Sequence, residues 1–453
     1  MIDTATWNAA FARLAAESSR SRGTLLLWVG LVGLFLATAS YGSVSGDVSA
    51  AYLPAWEVAQ HHTANSDNFG GLTQWLHPIH GHLRSDRFAG VILVAVPAYW
   101  LFGGPDALTI GPSALTVALL AATSVAVMHR TLLRLVPAGW ALAGALVFGL
   151  GTATWTVSAD AQWTHTVTQL GLTLVMYSLA ARRPWLGALG MVFAASARPH
   201  TALVAAILGL ADFWRTRKFA TIVLLALGSV GGLAVVYWWS GATLGHAGIL
   251  PATYAGRGAN VQTAGSTHYY GWPENLAGFV VSPERGVLVL CPFIVPCVFG
   301  LRRAWRSAPG WTKDAAVSGI AYSLLQLGVN GFAGGWGFYS FRLAIEGVTL
   351  ATPLLVLGAR EACRDHRWAW ATAVLVGYSI SVHTLGAFWY TNGNEGPVWW
   401  TRYQPAQLAI DAPWHAVVAV VVGVGVTMLL VGLARSDADP DVVTDARVAE
   451  VAA

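Results

Sequence analysis

Apolar stretches of bilayer length recur along almost the whole chain and are separated by short polar segments. A helix needs about 20 apolar residues to cross the hydrocarbon core of a membrane. The pattern predicts an all-α protein, a polytopic membrane bundle of about 10–13 transmembrane or re-entrant helices with helical outer loops. The candidate spans are residues 24–41, 89–103, 111–128, 138–156, 166–181, 184–197, 200–214, 219–240, 286–301, 315–332, 344–359, 368–388 and 413–433.

Basic clusters between the spans predict which ends face the cytoplasm, because cytoplasmic loops carry an excess of Lys and Arg. The clusters are Arg130 and Arg134; Arg182 and Arg183; Arg215, Arg217 and Lys218; Arg302, Arg303 and Arg306; and Arg360, Arg364 and Arg367. The rule places both chain termini in the cytoplasm and the long loops 42–88, 241–285 and 389–412 outside. The alternation fails only around residues 89–103. We expect this segment to be short or re-entrant, with a full crossing that puts Arg130 outside as the alternative.

Composition agrees with a membrane protein. Hydrophobic residues make up 55% of the 453 residues and charged residues only 11%. Soluble globular proteins carry about 25% charged residues, so a soluble enzyme and a nucleic-acid-binding protein are both excluded. The net charge is +4, and in a membrane protein positive charge reports orientation first. The three cysteines imply no disulfide framework.

The two ends of the chain differ from its apolar middle. Residues 1–23 place Trp7 and Phe11 among arginines, which predicts an interfacial helix on the cytoplasmic face. Residues 434–453 are rich in aspartate and predict a disordered cytoplasmic tail. Residues 24–433 between them form the predicted membrane domain, and the expected location is the inner (plasma) membrane.

Asp47 follows the first span almost directly. A carboxylate at the membrane boundary is costly unless it is solvated or paired. One interpretation is a helix cap, because Gly-Asp after an apolar run commonly ends one helix and starts the next. The other is a functional carboxylate at the outer surface.

Residues 77–90 hold three histidines, two arginines and Asp86 just before an apolar segment. The guanidinium groups of Arg84 and Arg87 match the geometry of a phosphate, so an anion site is the favoured interpretation. A metal site needs converging ligands, and no further cysteine or acidic pair completes a set. A solvated interfacial loop is the third interpretation.

Two polar interruptions occur within the next apolar spans. Asp160 and His165 lie between two spans on the predicted outer side, either as a polar turn or as part of a site. Arg198 precedes Pro199 inside an otherwise apolar stretch. An arginine at such depth needs a partner or a wet cavity, and a proline break frees backbone groups that line cavities.

The later outer segments are aromatic, polar and rich in glycine. Loop 241–285 contains Tyr254 and Tyr270 and ends near Ser282 and Arg285. This mixture suits sugar stacking and hydroxyl contacts, and an interfacial aromatic belt explains the aromatics equally well.

The segment from Gly334 to Arg342 is rich in glycine and aromatic residues and is followed by Glu346. It is consistent with a phosphate-binding site. The chain has no P-loop, zincin motif or GxSxG elbow. This argues against ATP-driven transport, metalloprotease and serine hydrolase chemistry.

The order of these pieces resembles the GT-C superfamily of polytopic glycosyltransferases, in particular the bacterial relatives of protein mannosyltransferases and aminoarabinose transferases. Gly46-Asp47 resembles the acidic motif of their first outer loop, and GHLRSDRFAGVILVAVP resembles a segment of the type GHYYSDKAPGLSLLAVP. The stretches WTVSADAQWTHTVTQLGL, AASARPHTALVA, SPERGVLVLCPF and GGWGFYSFRL resemble later motifs in the same order. Val48 stands where many such enzymes carry a second acidic residue.

The resemblance implies transfer of a sugar from a polyprenyl-phosphate donor to an acceptor hydroxyl on the outer face of the membrane, with inversion. It implies Asp47 as general base and makes Arg87, Arg198, Arg285 and Arg342 the candidates for binding the donor phosphate. Further substrate-binding candidates are Arg84, Asp86, Asp160, His165, Tyr254, Tyr270, Ser282 and Glu346.

The expected partners are the polyprenyl-phosphate sugar donor, a glycan, lipid or protein acceptor, and the lipid bilayer, with no nucleic acid. No cofactor and no metal ligands are expected, with a divalent metal as the open alternative. A polysaccharide polymerase or ligase that uses a pyrophosphate-linked lipid donor is an alternative function, and it does not need Asp47. A lipid or sugar transporter would usually show inverted repeats, and none is evident.

Overall fold

The computed structural model describes residues 4–42, 45–72, 75–245, 271–335, 337–391 and 400–436. Almost all of the regular structure in these ranges is helical, so the predicted all-α bundle is confirmed. The helices are α1 (Thr4–Ser19), α2 (Ser21–Thr38), α3 (Gly46–His61), α4 (Ala89–Leu93), α5 (Val96–Phe102), α6 (Gly111–Leu132), α7 (Ala138–Leu150), α8 (Thr164–Ala181), α9 (Pro184–Ala197), α10 (Ala202–Thr216), α11 (Ala220–Leu244), α12 (Trp272–Val281), α13 (Val287–Leu290), α14 (Ile294–Ser307), α15 (Gly310–Asn330), α16 (Ile345–Ala362), α17 (His366–Trp389), α18 (Gln404–Asp411) and α19 (Pro413–Ser436).

Five of these helices, α2, α6, α11, α17 and α19, are long and apolar enough to cross a membrane. Several of the others pack closely through small residues. A Cβ at Gly171 in α8 would overlap the carbonyl oxygen of Gly190 in α9, and the reverse also holds. Small residues allow such close helix contacts where lipid offers no hydrophobic driving force.

The segment 89–103 is not one helix. It forms α4 and α5, which are separated at Val94 and Ala95 and together cover 14 residues from Ala89 to Phe102. At 1.5 Å per residue, even an unbroken helix of this length spans only about 21 Å, less than the ~30 Å hydrocarbon core. This length favours the re-entrant interpretation over a full crossing.

Two other predicted spans have different boundaries. The span 286–301 is divided into α13 and α14, because Cys291 precedes Pro292 and leaves the helical conformation (φ −128°, ψ 58°), as residues before proline do. Helix α7 ends at Leu150, and a π-helical turn, Thr154–Ser158, follows.

Loop 42–88 is not wholly helical, which corrects the prediction of helical loops in this segment. It contains α3, a short 3-10 turn at Asp67–Phe69 and an antiparallel hairpin of β1 (Leu76–Ile79) and β2 (His82–Ser85). The hairpin turn is His80-Gly81, with positive φ at both residues (51° and 82°), as expected of a type I′ turn. His80 is therefore a turn residue, and the hairpin ends at Ser85, two residues before Arg87.

The remaining predictions about segments can be compared only in part. Helix α1 packs against α7 and α19, and its placement at the membrane surface stays a prediction. Most of loop 241–285, including Tyr254 and Tyr270, and most of the tail 434–453 lie outside the described residues. Helix α19 extends to Ser436, three residues into that predicted tail.

Candidate active site

Asp47 lies in the first turn of α3, and its carboxylate contacts two arginines from distant parts of the chain. Arg342 Nη1 donates to Asp47 Oδ2 at 2.6 Å, and Arg87 Nη1 donates to Oδ1 at 3.4 Å. Ser45 occupies the N-cap position, where its hydroxyl accepts from the Asp47 amide at 3.4 Å. The cap is therefore Ser45, and the Asp47 side chain is directed to the arginines.

The two arginines determine the charge state of this carboxyl. Burial opposes ionisation, but the positive charges of Arg87 and Arg342, together with the Arg342 hydrogen bond, outweigh it. The pKa of Asp47 is consequently lowered below its usual value. Asp47 is ionised at neutral pH and, with both arginines in place, is a weak base.

Arg87 is held in position by its neighbour in sequence. Asp86 Oδ1 accepts from both Nε and Nη2 of Arg87, at 3.0 and 2.9 Å, while Asp86 Oδ2 lies 3.1 Å from His77 Nε2. The Arg87 guanidinium also stacks 4.2 Å from the centre of a Trp75 ring. The Asp86 carboxylate is buried and orients Arg87, and its contact with substrate stays a prediction.

Arg342 lies at the end of a glycine-rich loop between α15 and α16. Gly334, Gly335 and Gly337 have φ of 68°, 94° and 79°, a region where glycine meets no steric cost. Arg342 Nη2 donates to the carbonyl oxygen of Gly334. Its guanidinium lies 4.7 Å from the centre of a Trp163 ring, so the loop presents Arg342 in one orientation.

Arg285 holds this loop through hydrogen bonds to its backbone. It is almost fully buried, and its Nη1 donates to the carbonyl oxygens of Phe338 and Ser340, at 2.6 and 2.9 Å. Ser282 in turn accepts from the Arg285 backbone amide at 3.2 Å. Arg285 thus holds the backbone of the Arg342 loop and Ser282 holds the backbone of Arg285, while contact of either residue with the donor or substrate stays a prediction.

A second buried polar cluster lies beside the first. Arg198 Nη1 donates to His165 Nε2 at 2.9 Å and to Glu346 Oε1 at 3.1 Å, and Glu346 Oε1 also lies 2.8 Å from His165 Nδ1. Arg198 Nη2 donates to Gln326 Oε1 at 2.6 Å. Burial is the main cause that lowers the pKa of Arg342, and the positive charge of the nearby Arg198 lowers it further. The structure thus brings three of the predicted residues together here.

Two predicted residues lie apart from both clusters. Arg84 donates from Nε to Asn65 Oδ1 at 3.0 Å and from Nη1 to the carbonyl oxygen of Thr243, and so ties the hairpin to the end of α11. Asp160, between α7 and α8, accepts from the Ser40 hydroxyl at 2.7 Å, beyond the end of α2. Neither contacts Asp47 or Arg342 in these bonds.

The Asp160 carboxyl should make stability depend on pH. Burial raises its pKa from 3.8 to about 7, against the hydrogen bonds from Ser40. The folded state therefore keeps a proton that the unfolded chain releases, so stability falls as the pH rises through this window. We expect Asp160→Asn to raise the melting temperature at about pH 8 and much less at about pH 5. An equal shift at both pH values in thermal unfolding would contradict this assignment.

Sequence reasoning did not identify several contacts of these clusters. Trp75 and Trp163 stack on the two arginines, and tryptophan is so frequent in this chain that neither stood out. Gln326 had a usable signal, because a buried amide in an apolar helix needs a partner. Within the described ranges, no three His, Cys, Asp or Glu side chains are arranged to hold a metal ion.

The fold has counterparts among solved structures. The chain is similar to ArnT from Cupriavidus metallidurans bound to undecaprenyl phosphate, with a TM-score of 0.51 and 16% identity over 92% of this chain and 75% of that one. The apo structure of the same protein matches over the same shares with a TM-score of 0.49. No protein-family profile matches the chain, and no curated protein does so. The resemblance inferred from the motifs is confirmed at the level of structure: this chain has the fold of ArnT, an aminoarabinose transferase of the GT-C superfamily.

Proposed function

We propose that the protein is a membrane glycosyltransferase that moves a sugar from a polyprenyl-phosphate donor to an acceptor hydroxyl, with inversion. The observation that carries this proposal is the Asp47 carboxylate held between Arg87 and Arg342. A general base and a cationic phosphate site are the two parts that such a transfer requires. The shared fold with a protein that binds undecaprenyl phosphate supports a polyprenyl lipid as donor.

The donor phosphate would take over the arginines that Asp47 holds in the resting protein. In the two clusters, the guanidinium groups of Arg87, Arg198 and Arg342 are matched by carboxylates of Asp47, Asp86 and Glu346. An added phosphate must therefore compete with a carboxylate. Asp47 is the most exposed of the three, and its bond to Arg87 is long at 3.4 Å, so it is the carboxylate to be displaced.

This exchange would also activate Asp47. When Arg87 and Arg342 turn to the phosphate, the carboxylate loses much of the positive charge that lowers its pKa, and it becomes a stronger base. The acceptor oxygen then attacks the anomeric carbon, and the acceptor proton passes to Asp47. The bond from that carbon to the phosphate oxygen breaks, and its electron pair stays on the phosphate, where the arginines stabilise the added charge.

Arg198 and Arg285 fit this role less well than Arg87 and Arg342. Arg198 uses both terminal nitrogens on His165, Glu346 and Gln326. Arg285 donates to loop backbone. A phosphate would have to replace buried bonds at either arginine, and leaving such groups unsatisfied is costly.

The reaction is assigned to the outer face of the inner membrane. Asp47 begins the segment after α2, and the basic cluster at Arg360 and Arg364 lies at the other end of α16 from Arg342. The positive-inside rule places that cluster in the cytoplasm. The acceptor is then a glycan, lipid or protein hydroxyl at the outer surface, and the two arginines meet the charge requirement without a metal.

The direct test offers purified protein in lipid nanodiscs a panel of polyprenyl-phosphate hexoses and pentoses, including mannose and arabinose. We expect one donor to be converted to free polyprenyl phosphate when an acceptor is present. The same panel linked through pyrophosphate tests the polymerase or ligase alternative. Turnover of only the pyrophosphate-linked donors would reject the proposal.

A further inference from the structure

An apolar cavity lies along α16 from Val348 to Ala359, and neither Asp47, Arg87 nor Arg342 lines it. It has a volume of about 130 Å³ and lies between α7, α14, α16, α17 and α19. Its walls are almost wholly apolar and include Val147, Phe148, Leu355, Val376 and Leu430. Apolar cavities of this kind do not hold water well, so a hydrocarbon chain is the ligand chemistry that fits the space.

The cavity continues into a basic cleft at the bundle surface. The cavity and the cleft share six lining residues, Trp140, Cys363, Ala369, Ala373, Val431 and Ala434. The cleft adds Arg360, Arg364, His366 and Arg435. Arg364 is bonded to Glu361 at 2.6 Å, whereas Arg360 makes no ion pair with any carboxylate of the described chain.

The position of this cleft matches the surface of a lipid leaflet. Arg360 is 15 residues along α16 from Ile345, which is about 23 Å along the helix axis. Trp370 at the rim is 57% exposed, as is usual for tryptophan at a membrane interface. Basic pockets between transmembrane helices near the cytoplasmic surface bind anionic lipid headgroups.

We propose that this cavity and cleft bind one anionic phospholipid, with part of an acyl chain in the apolar cavity and the phosphate headgroup at Arg360 and Arg435. Two observations support this proposal. The basic cleft is complementary in charge to an anionic headgroup, and it adjoins the apolar cavity directly. The site is separate from the Asp47 cluster, so the inference does not depend on the proposed reaction.

A neighbouring cleft provides a matched comparison. It also carries three arginines, Arg302, Arg303 and Arg306, but two carboxylates, Glu361 and Asp365, line it as well. It shares no lining residue with the apolar cavity. A response to surface arginines in general would involve this cleft too, whereas a lipid site requires the adjoining apolar cavity.

The test is native mass spectrometry of the delipidated full chain, titrated with phosphatidylglycerol or phosphatidylcholine of the same acyl length. We expect one phosphatidylglycerol to bind preferentially. Arg360→Gln with Arg435→Gln should weaken its binding roughly thirtyfold, since each arginine near a phosphate contributes about fivefold. Arg302→Gln with Arg303→Gln should bind as the unchanged protein does.

Cys363 provides a second measurement, which leaves Arg360 and Arg435 unchanged. It lies at the junction of cavity and cleft, and the other cysteines, Cys291 and Cys297, are buried. Alkylating Cys363 with N-ethylmaleimide should block the neck and abolish phosphatidylglycerol binding, while alkylation of a Cys363→Ala variant should not. Thermal unfolding checks that each protein remains folded.

Three results would overturn the proposal. The first is equal binding of the two phospholipids, and the second is unchanged preference after the Arg360 and Arg435 substitutions. The third concerns the acidic residues that follow Arg435 in the sequence. If phosphatidylglycerol binds only after Asp437→Asn, Asp439→Asn and Asp441→Asn, the chain's own tail is the natural occupant of the basic cleft.

Discussion

Asp47→Asn should give a folded protein that binds the donor but transfers the sugar at least about a hundredfold more slowly, because general-base catalysis contributes ~10²–10⁴-fold. Asparagine keeps the size of the side chain and an oxygen that can accept from Arg342, but it cannot take the acceptor proton. The measurement is single-turnover transfer from a polyprenyl-phosphate sugar, with donor binding and thermal unfolding measured on the same preparation.

Glu57 provides the matched control for this experiment. It is a buried carboxylate on the same helix, α3, and it pairs with His61 Nδ1 at 2.7 Å, not with the arginines. Glu57→Gln makes the same chemical change ten residues away and should leave single-turnover transfer near normal in the folded protein. Near-normal transfer by Asp47→Asn would remove Asp47 from the chemistry.

Arg342→Ala should weaken donor binding and turnover by roughly tenfold to a hundredfold, the range for losing one charge-assisted, bidentate contact. Arg342→Lys should recover part of the loss, because the charge is kept but the planar fork is not. The alanine variant should also show a shifted pH profile. Without Arg342 the pKa of Asp47 rises, so the acid limb of the rate moves to higher pH.

The pH profile distinguishes loss of a phosphate contact from general damage to the loop. Arg130→Ala, which removes the same charge at the other end of the bundle, is the control and should change neither rate nor profile. If Arg342→Ala lowers the rate with an unchanged acid limb, its interaction with Asp47 does not govern the base. If it turns over the donor normally, the phosphate binds elsewhere.

The sequence was sufficient for the class of fold and for identifying the charged residues that line the candidate site. Apolar length alone predicts a helical bundle, and Asp47, Arg87 and Arg342 each stand out as charges at span ends. The contact between them could not be predicted, because Asp47 and Arg342 are 295 positions apart. Periodicity describes one element at a time, and it contains no information on which span ends meet.

Several predicted site residues make contacts within the protein, and one physical reason explains why the sequence did not show these contacts. Asp86, Ser282 and Arg285 were identified as polar groups near the outer surface, but polar groups also hold other groups in place. A fully buried guanidinium such as that of Arg285 binds carbonyl oxygens of the protein, whereas a more exposed one can bind substrate. The sequence of a loop does not predict which of its residues are buried. The helix breaks at Ala95 and Cys291 were more accessible to prediction, since a proline follows each within two residues.

The Asp47 bridge between two arginines has a consequence for how the proposed enzyme would empty its site. The donor is a phosphodiester with one negative charge, whereas the spent polyprenyl phosphate carries up to two and would be held more tightly. Directly after transfer, Asp47 carries the proton and cannot compete for the arginines. Once that proton passes to water, the carboxylate regains its charge and reclaims Arg87 and Arg342. Proton loss would thereby drive departure of the spent carrier and limit product inhibition.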